Sequence, residues 1–317
     1  MREPFFSVII PALNEERFIA QTLAALRELS YPPDRFEVIL VDSGSMDRTP
    51  ELARSLGARV LERTKPGVGA ARNLGAREAR GEILAFLDAD CLPAQDWLQQ
   101  AQRSVARERC ITGAEVGVPD NAGWIERAWY LQSSFTREEV THINTGNMIV
   151  PRDLFFEIGE FDESLVSGED YEFCARARTE RNIPSIADNS VKVVHLGNPK
   201  TLTRVFYREV WHGLGALGTL NVHWFDKSLV ATLLFLVAST VQVAGLVAIP
   251  FRGPLLFAAG TAGVLVAIAA AIWNRRSVLT GPLRTVQLGV IYYVYFLGRS
   301  VSLFLLLFRK REYLRER

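Results

Sequence analysis

The stretch Glu82-Ile83-Leu84-Ala85-Phe86-Leu87-Asp88-Ala89-Asp90 runs five apolar residues straight into two aspartates separated by one small residue. A short unbroken apolar run is the pattern of a strand buried on both faces, as in a parallel sheet. Such strands offer ligand sites at their carboxyl ends, where loops lead into helices. Two carboxylates side by side repel unless a cation joins them, and hard oxygen donors suit Mg2+ or Mn2+. Taken alone, the pair reads equally well as a helix N-cap at Asp90 or Asp96 with Asp88 merely solvated.

The surrounding sequence repeats the same grammar. Residues 6–11 form a strand pattern, followed by Asn14 as N-cap and by Phe18, Ile19, Leu23, Leu26 and Leu29 at helical spacing. Further periodicity predicts strands at 36–41, 59–61 and 82–87, and helices near 50–56, 68–79 and 96–107. This alternation implies an α/β fold, a mostly parallel sheet with helices on both faces. Its strand ends carry Pro11-Ala-Leu-Asn14-Glu15, Asp42-Ser-Gly-Ser-Met-Asp47 and Asp88-Ala89-Asp90, so three carboxylate-bearing loops converge on one edge. Asp42 is placed to accept the N–H of a nucleobase beside the tight turn Ser43-Gly44-Ser45, with an ordinary turn and cap as the plain alternative. A nicotinamide-binding sheet is excluded, because no Gly-x-Gly-x-x-Gly turn follows the first strand.

Composition separates the chain into two regimes. Of its 317 residues 36 are basic and 35 acidic, yet residues 228–317 hold ten Lys/Arg against two Asp/Glu, leaving 26 against 33 before them. An acidic globule followed by an apolar, basic segment suggests an enzyme tethered to an anionic membrane, and argues against nucleic-acid binding. Stretches 229–249 and 254–273 are uncharged and long enough to cross a hydrocarbon core, joined by a turn at 251–253. A third, 285–308, contains Arg299, which must snorkel, pair or face protein. Three spans would export the tail residues Arg309, Lys310, Arg311, Arg315 and Arg317, against the positive-inside tendency. Cys91, Cys110 and Cys174 lack metal-ligand spacing and cannot pair off completely, which points to a reduced, cytosol-facing compartment. The opening residues lead directly into a strand, so no cleaved leader is expected. The organisation read from these features is a catalytic domain at 1–198, an amphipathic interfacial segment at 199–227 and a membrane region at 228–317.

Four segments carry a resemblance. Ser7-Val-Ile-Ile-Pro11-Ala-Leu-Asn14-Glu15-Glu16, Val41-Asp42-Ser-Gly-Ser-Met-Asp47-Arg-Thr, Gly67-Val-Gly-Ala-Ala-Arg72-Asn73-Leu-Gly and Phe86-Leu-Asp88-Ala89-Asp90-Cys-Leu-Pro resemble, in order and spacing, glycosyltransferase family 2 with its GT-A fold. The likeness continues through Thr145-Gly146-Asn147, Gly159-Glu-Phe-Asp162 and Gly168-Glu169-Asp170, and so covers roughly residues 5–210. It implies inverting transfer from a nucleotide-diphosphate sugar. Pro11, Asn14, Glu15, Asp42, Asp88 and Ala89 would lie on the donor side, Gly146 and Asn147 on the acceptor side, and Asp90 on Mg2+ or Mn2+. Lys65, Arg72 and Asn73 would line the donor cleft, with a solvated Lys65 and a structural Arg72 as alternatives. Asp170 matches the base that activates the acceptor hydroxyl, with Glu169 as fallback. His195 would be a further metal ligand or a structural histidine, and Arg208 would reach the departing diphosphate.

The chemistry asks for these parts independently: breaking an anomeric C–O bond leaves negative charge on a diphosphate, and the attacking hydroxyl needs a base. The Gln-x-x-Arg-Trp signature of processive synthases is replaced here by Arg204-Val-Phe-Tyr-Arg208-Glu209-Val-Trp211, which favours a single transfer to a lipid or lipid-linked acceptor. The rival readings are a sugar-phosphate nucleotidyltransferase, whose Gly-rich phosphate loop is missing, and a non-catalytic membrane scaffold.

Overall fold

All five residues of Ile83–Leu87 are buried and form β4, the strand around which the first half of the chain assembles. In a computed structural model, which describes residues 3–64, 67–114, 116–130, 136–216, 227–248, 252–276 and 281–307, the chain divides into two units. The first comprises Met1–Asn121 with Ser134–Asn198, the second Ala122–Ser133 with Pro199–Arg317. Residues 122–133, which the sequence reading leaves inside 1–198, thus cluster with the second unit. The cause is α5 (Trp124–Trp129), whose Ile125 and Ala128 are buried with Val205 and Ile291.

In the first unit, β1 (Phe6–Ala12) lies parallel to both β2 (Phe36–Asp42) and β4, and β3 (Arg59–Glu62) extends the parallel side beyond β2. The other half of the sheet adds β6 (Ile111–Gly113), β7 (Arg137–Val140), β8 (Asn147–Pro151) and β9 (Ser185–Asp188), giving the order β3-β2-β1-β4-β8-β6-β9-β7. Here β8 is antiparallel to both β4 and β6. A separate ribbon pairs β5 (Cys91–Pro93) with β10 (Val193–His195).

Alternation along the strands explains the layering. Val8, Ile10, Ala85 and Leu87 point to one face, against Ile19, Leu23 and Leu26 of α1 (Glu16–Arg27), Ala53 of α2 (Thr49–Ser55) and Trp97 of α4 (Trp97–Arg107). Ile9, Leu84 and Phe86 point to the other, against α3 (Val68–Glu78), α6 (Arg152–Ile158) and α7 (Glu169–Arg181). Phe86, Phe155, Phe161 and Phe173 cluster there with ring centroids 4.9 to 5.3 Å apart. Burying each ring contributes about 2 kcal/mol, which fixes α6 and α7 beneath the sheet.

The second unit contains α8 (Leu202–Ala216), α9 (Lys227–Val247), α10 (Gly253–Trp273) and α11 (Pro282–Leu307). Ser228–Val247, Gly253–Trp273 and Pro282–Leu305 are long and apolar enough to cross a membrane. The expected first span reached 249, but the described helix ends at Val247; the third starts three residues earlier than expected. Arg252 is the N-cap of α10, while Phe251 of the expected turn lies outside the described residues, as do 217–226 of the interfacial segment. α9 and α10 approach closely because position 260 has no side chain: a Cβ on Gly260 would sit 2.4 Å from the Gln242 nitrogen. Arg299 on α11 does not stand alone. Its Nε donates to Glu209 Oε2 on α8 at 3.1 Å, and this pairing makes a guanidinium tolerable within an apolar helix.

Candidate active site

Register brings the strand ends together. Ala12 pairs with Asp42 across β1 and β2, and Leu87 pairs with Asn147 across β4 and β8. Asp42 is buried, and its Oδ2 accepts the backbone N–H groups of Gly44 and Ser45, both at 3.0 Å. Its Oδ1 is buried with no partner among the described residues. An acceptor in that position costs free energy until a donor reaches it.

The loop after β1 is laced to the loop after β2. The Asn14 N–H donates to Ser45 Oγ at 2.8 Å, and Asn14 Oδ1 accepts the Met46 N–H at 2.9 Å. The Glu15 N–H donates to Thr49 Oγ1 at 2.8 Å, and the Glu16 N–H to Asp47 Oδ2 at 3.1 Å. Asn14 is not the N-cap of α1, as its position suggested. It adopts φ 57°, and Glu15 occupies the cap. Asparagine tolerates this left-handed geometry better than most residues, and its side chain is committed to the neighbouring loop.

Past β4, Asp88 and Asp90 stand in different surroundings. Asp88 accepts Arg72 Nη2 at 2.7 Å and is partly exposed. Asp90 lies 3.3 Å from His195 Nε2, because the β5–β10 ribbon sets His195 opposite Cys91. Burial pushes the Asp90 carboxyl upward, His195 opposes this, and Asp88 reinforces it. The Glu15 carboxyl is raised to about 7, first by burial and then by Asp90, Asp88 and Asp47. A site that holds protons on its acids is one that welcomes positive charge.

Arg72 is buried and joins the loop after β4 to α7: besides Asp88, its Nη1 donates to the buried Glu169 at the start of α7. Coulombic attraction to both carboxylates outweighs desolvation and keeps Arg72 charged. Burial raises the Glu169 carboxyl against the pull of Arg72. Asp170, next in sequence, is only partly buried; Oδ1 accepts the Tyr171 N–H at 2.8 Å, and Oδ2 has no protein partner among the described residues. Of the two acids at this helix start, Asp170 has the freer oxygen.

Residues 7–158 match the model of the family described as Glycosyl transferase family 2. Over that segment, just under half of the 317 residues, the chain carries a glycosyltransferase family 2 domain. It is 34% identical over 186 residues to "Glycosyltransferase AglE" of Haloferax volcanii, covering 55% of this chain and 61% of that one. It is 31% identical over 200 residues to "Amylovoran biosynthesis glycosyltransferase AmsB" of Erwinia amylovora, covering 56% and 65% respectively. The chain thus spans less than two thirds of the length of these relatives. Its fold resembles that of mannosyltransferase PcManGT from Pyrobaculum calidifontis, solved in complex with GDP-Man and Mn2+, with a TM-score of 0.60, 21% identity and coverage of 96% of this chain and 88% of that one. At that identity the likeness is one of fold, and the fold is GT-A.

Within the family 2 domain, three expected site residues have other employment. Asn147 is fully buried: its Oδ1 accepts Trp97 Nε1 at 2.9 Å and its Nδ2 donates to the Val191 carbonyl at 2.7 Å, so it braces the sheet instead of facing an acceptor. Asn73 clamps the backbone of Phe161, donating to its carbonyl at 2.9 Å and accepting its N–H at 3.0 Å. Ala89 is buried, and its carbonyl accepts Thr22 Oγ1 at 2.7 Å, so only its backbone path matters to the aspartates beside it. Gly146 lies against Asp88, where a Cβ would come 3.0 Å from Asp88 Oδ2. Pro11 ends β1 opposite Val41. Lys65 falls outside the described residues, and Arg208 belongs to the second unit.

Two neighbours of the aspartates escaped the sequence reading. A Cβ on Gly197 would lie 1.8 Å from Asp90 Oδ2, so that carboxylate needs glycine there. The ligand atoms of Asp90, Cys91 and His195 lie within 4.8 Å of one another. Burial drives the Cys91 thiol well above its ordinary range, so it stays protonated and is no match for a hard cation. The oxygen–nitrogen pair of Asp90 and His195 does fit one: ligands about 2.1 Å from a small ion and at right angles stand about 3 Å apart.

Proposed function

We propose that this chain is a membrane-bound inverting glycosyltransferase that moves one sugar from a nucleotide-diphosphate donor to a hydroxyl of a lipid or lipid-linked acceptor. Asp90 and His195 would hold Mg2+ or Mn2+. The observation that carries the reading is their approach to 3.3 Å beside a second aspartate, in a cleft where Glu15 is raised to about 7. When bound, the cation would neutralise charge on the departing diphosphate. Asp42 Oδ1, a buried acceptor lacking a donor among the described residues, suits a nucleobase N–H. Arg72 holds Asp88 in place and keeps Glu169 occupied, leaving Asp170 to take the proton of the attacking hydroxyl.

Three apolar helices support attachment to a membrane, and three buried, unbridged cysteines agree with a catalytic domain on the cytoplasmic side of an inner membrane. The acceptor class follows from that tether. The test is hydrolysis or transfer of nucleotide sugars by the detergent-solubilised chain with and without Mn2+, scored by release of nucleoside diphosphate. Asp90→Ala should lower turnover by about 10^3-fold with folding preserved, the scale of losing a group that stabilises developing charge. Unchanged turnover in that variant, or release of pyrophosphate, would remove the reading.

A further inference from the structure

The second unit contains a polar centre to which the transfer steps proposed above give no role. Glu209, 2% exposed, is shared between two guanidiniums: Arg208 Nη2 reaches its Oε1 at 3.2 Å and Arg299 Nε its Oε2 at 3.1 Å. A third arginine joins them through aromatic rings. Arg275 stands 4.8 Å from the Trp129 ring centroid and Arg208 stands 5.8 Å from the same centroid. Arg275 also lies 6.0 Å from the ring of Tyr292. Its Nη1 donates to the Trp129 carbonyl at 2.6 Å, and no carboxylate pairs with it among the described residues.

The charge count is therefore three cations to one anion, in a cluster that is half-buried and walled by indole and phenol rings. Rings soften the desolvation of a guanidinium without neutralising it. Two guanidiniums gathered at one indole leave local positive charge that favours an anion, and the planar guanidinium fork matches phosphate oxygens two at a time. Position identifies the source. Arg275 lies two residues beyond Trp273, where the apolar stretch Gly253–Trp273 ends, which is the level at which a span meets lipid headgroups.

We propose that Arg275 and Arg208, which both lie against the Trp129 ring, seat the phosphate of an anionic phospholipid. Glu209 engages Arg208 and Arg299, so the surplus charge is directed to the lipid through Arg275. This goes beyond the transfer reading and does not rest on it, because the site is defined by binding and lies wholly in the second unit.

The experiment uses the full chain in mild detergent, with lipid retention counted by native mass spectrometry. Dioleoyl phosphatidate, dioleoyl phosphatidylcholine and diacylglycerol are offered separately, and inorganic phosphate is added as competitor. One phosphatidate should be retained per chain, with neither neutral lipid replacing it, and millimolar phosphate should not displace it. Arg275→Gln should weaken retention at least tenfold, roughly the effect of losing a charged hydrogen-bonding partner. Arg276→Gln, an exposed neighbour whose guanidinium lies over Trp273, should lower it by no more than about fivefold, the worth of one surface charge near a membrane. Equal losses in the two variants would reduce the site to diffuse attraction and overturn the proposal. So would equal retention of phosphatidylcholine, or displacement by free phosphate; both are read on the unaltered chain and survive any folding defect in a variant.

Discussion

The two units solve the same electrostatic problem with opposite signs. In the first, one buried arginine, Arg72, is shared by Asp88 and Glu169. In the second, one buried glutamate, Glu209, is shared by Arg208 and Arg299. Each centre keeps a buried ion alive with two partners, because a single desolvated pair barely offsets its own cost. What differs is the surplus. Around Arg72 stand additional acids, Asp90, Asp170 and Glu15, whereas around Glu209 stands an additional base, Arg275. A centre with spare negative charge suits a cation, and one with spare positive charge suits an anion. The same device thus suits one unit to metal-assisted chemistry and the other to a charged membrane surface.

The comparison can be broken in order of expected effect. Asp170→Asn should reduce transfer about 10^2- to 10^4-fold while leaving donor affinity intact, the span attributed to general-base assistance; steady-state kinetics with varied donor would expose an error if the donor KM moved instead. Arg72→Leu strands Glu169 in the interior and should destabilise the first unit by about 3–5 kcal/mol, read from chemical unfolding followed by tryptophan fluorescence. Adding Glu169→Leu to it should restore part of that loss, whereas simple loss of packing predicts a further drop. Glu209→Gln leaves Arg299 without a countercharge in its helix and should cost about 2.5–3.5 kcal/mol, measured as a lowered thermal midpoint in detergent.

The smallest effect is a pH dependence. Glu15 has its folded-state pKa raised to about 7, above its value in the unfolded chain. Its protonated form is therefore favoured by folding, so the stability linked to it is complete at pH below about 4.3 and is lost as pH rises toward 7. Glu15→Gln should match the parent chain near pH 4 and be the more stable of the two at pH 8 without divalent ions. If the two melting profiles stay parallel across this range, Glu15 does not carry the strain assigned to it.

How far the sequence foretold this depends on the distance over which each signal acts. Apart from the three-residue β5, the strands and α-helices from β1 to α4 were legible because apolar alternation and helical spacing are local, and the expected boundaries fall within a few residues of the observed ones. Asp42, Asp88 and Asp90 were legible because each follows a buried strand. The antiparallel insertion of β8 between β4 and β6 was not, since β6 has three residues and β8 five, too few to show a period. The pairing of Arg72 with Glu169 spans 97 residues and that of Glu209 with Arg299 spans 90, and no spacing rule reaches that far. Asn147 and Asn73 resemble ligand contacts on paper because an amide serves a substrate and a neighbouring backbone equally well; only the fold reveals which partner came first.

The reciprocal hydrogen bonds between Asn14 and the Ser45–Met46 backbone and side chain have one more outcome. With the two loops beside Asp42 stitched together, neither can shift on its own. On the proposal that Asp42 meets the donor's base, selectivity would be a matter of mould rather than of accommodation, and redesigning it would require recasting both loops in concert.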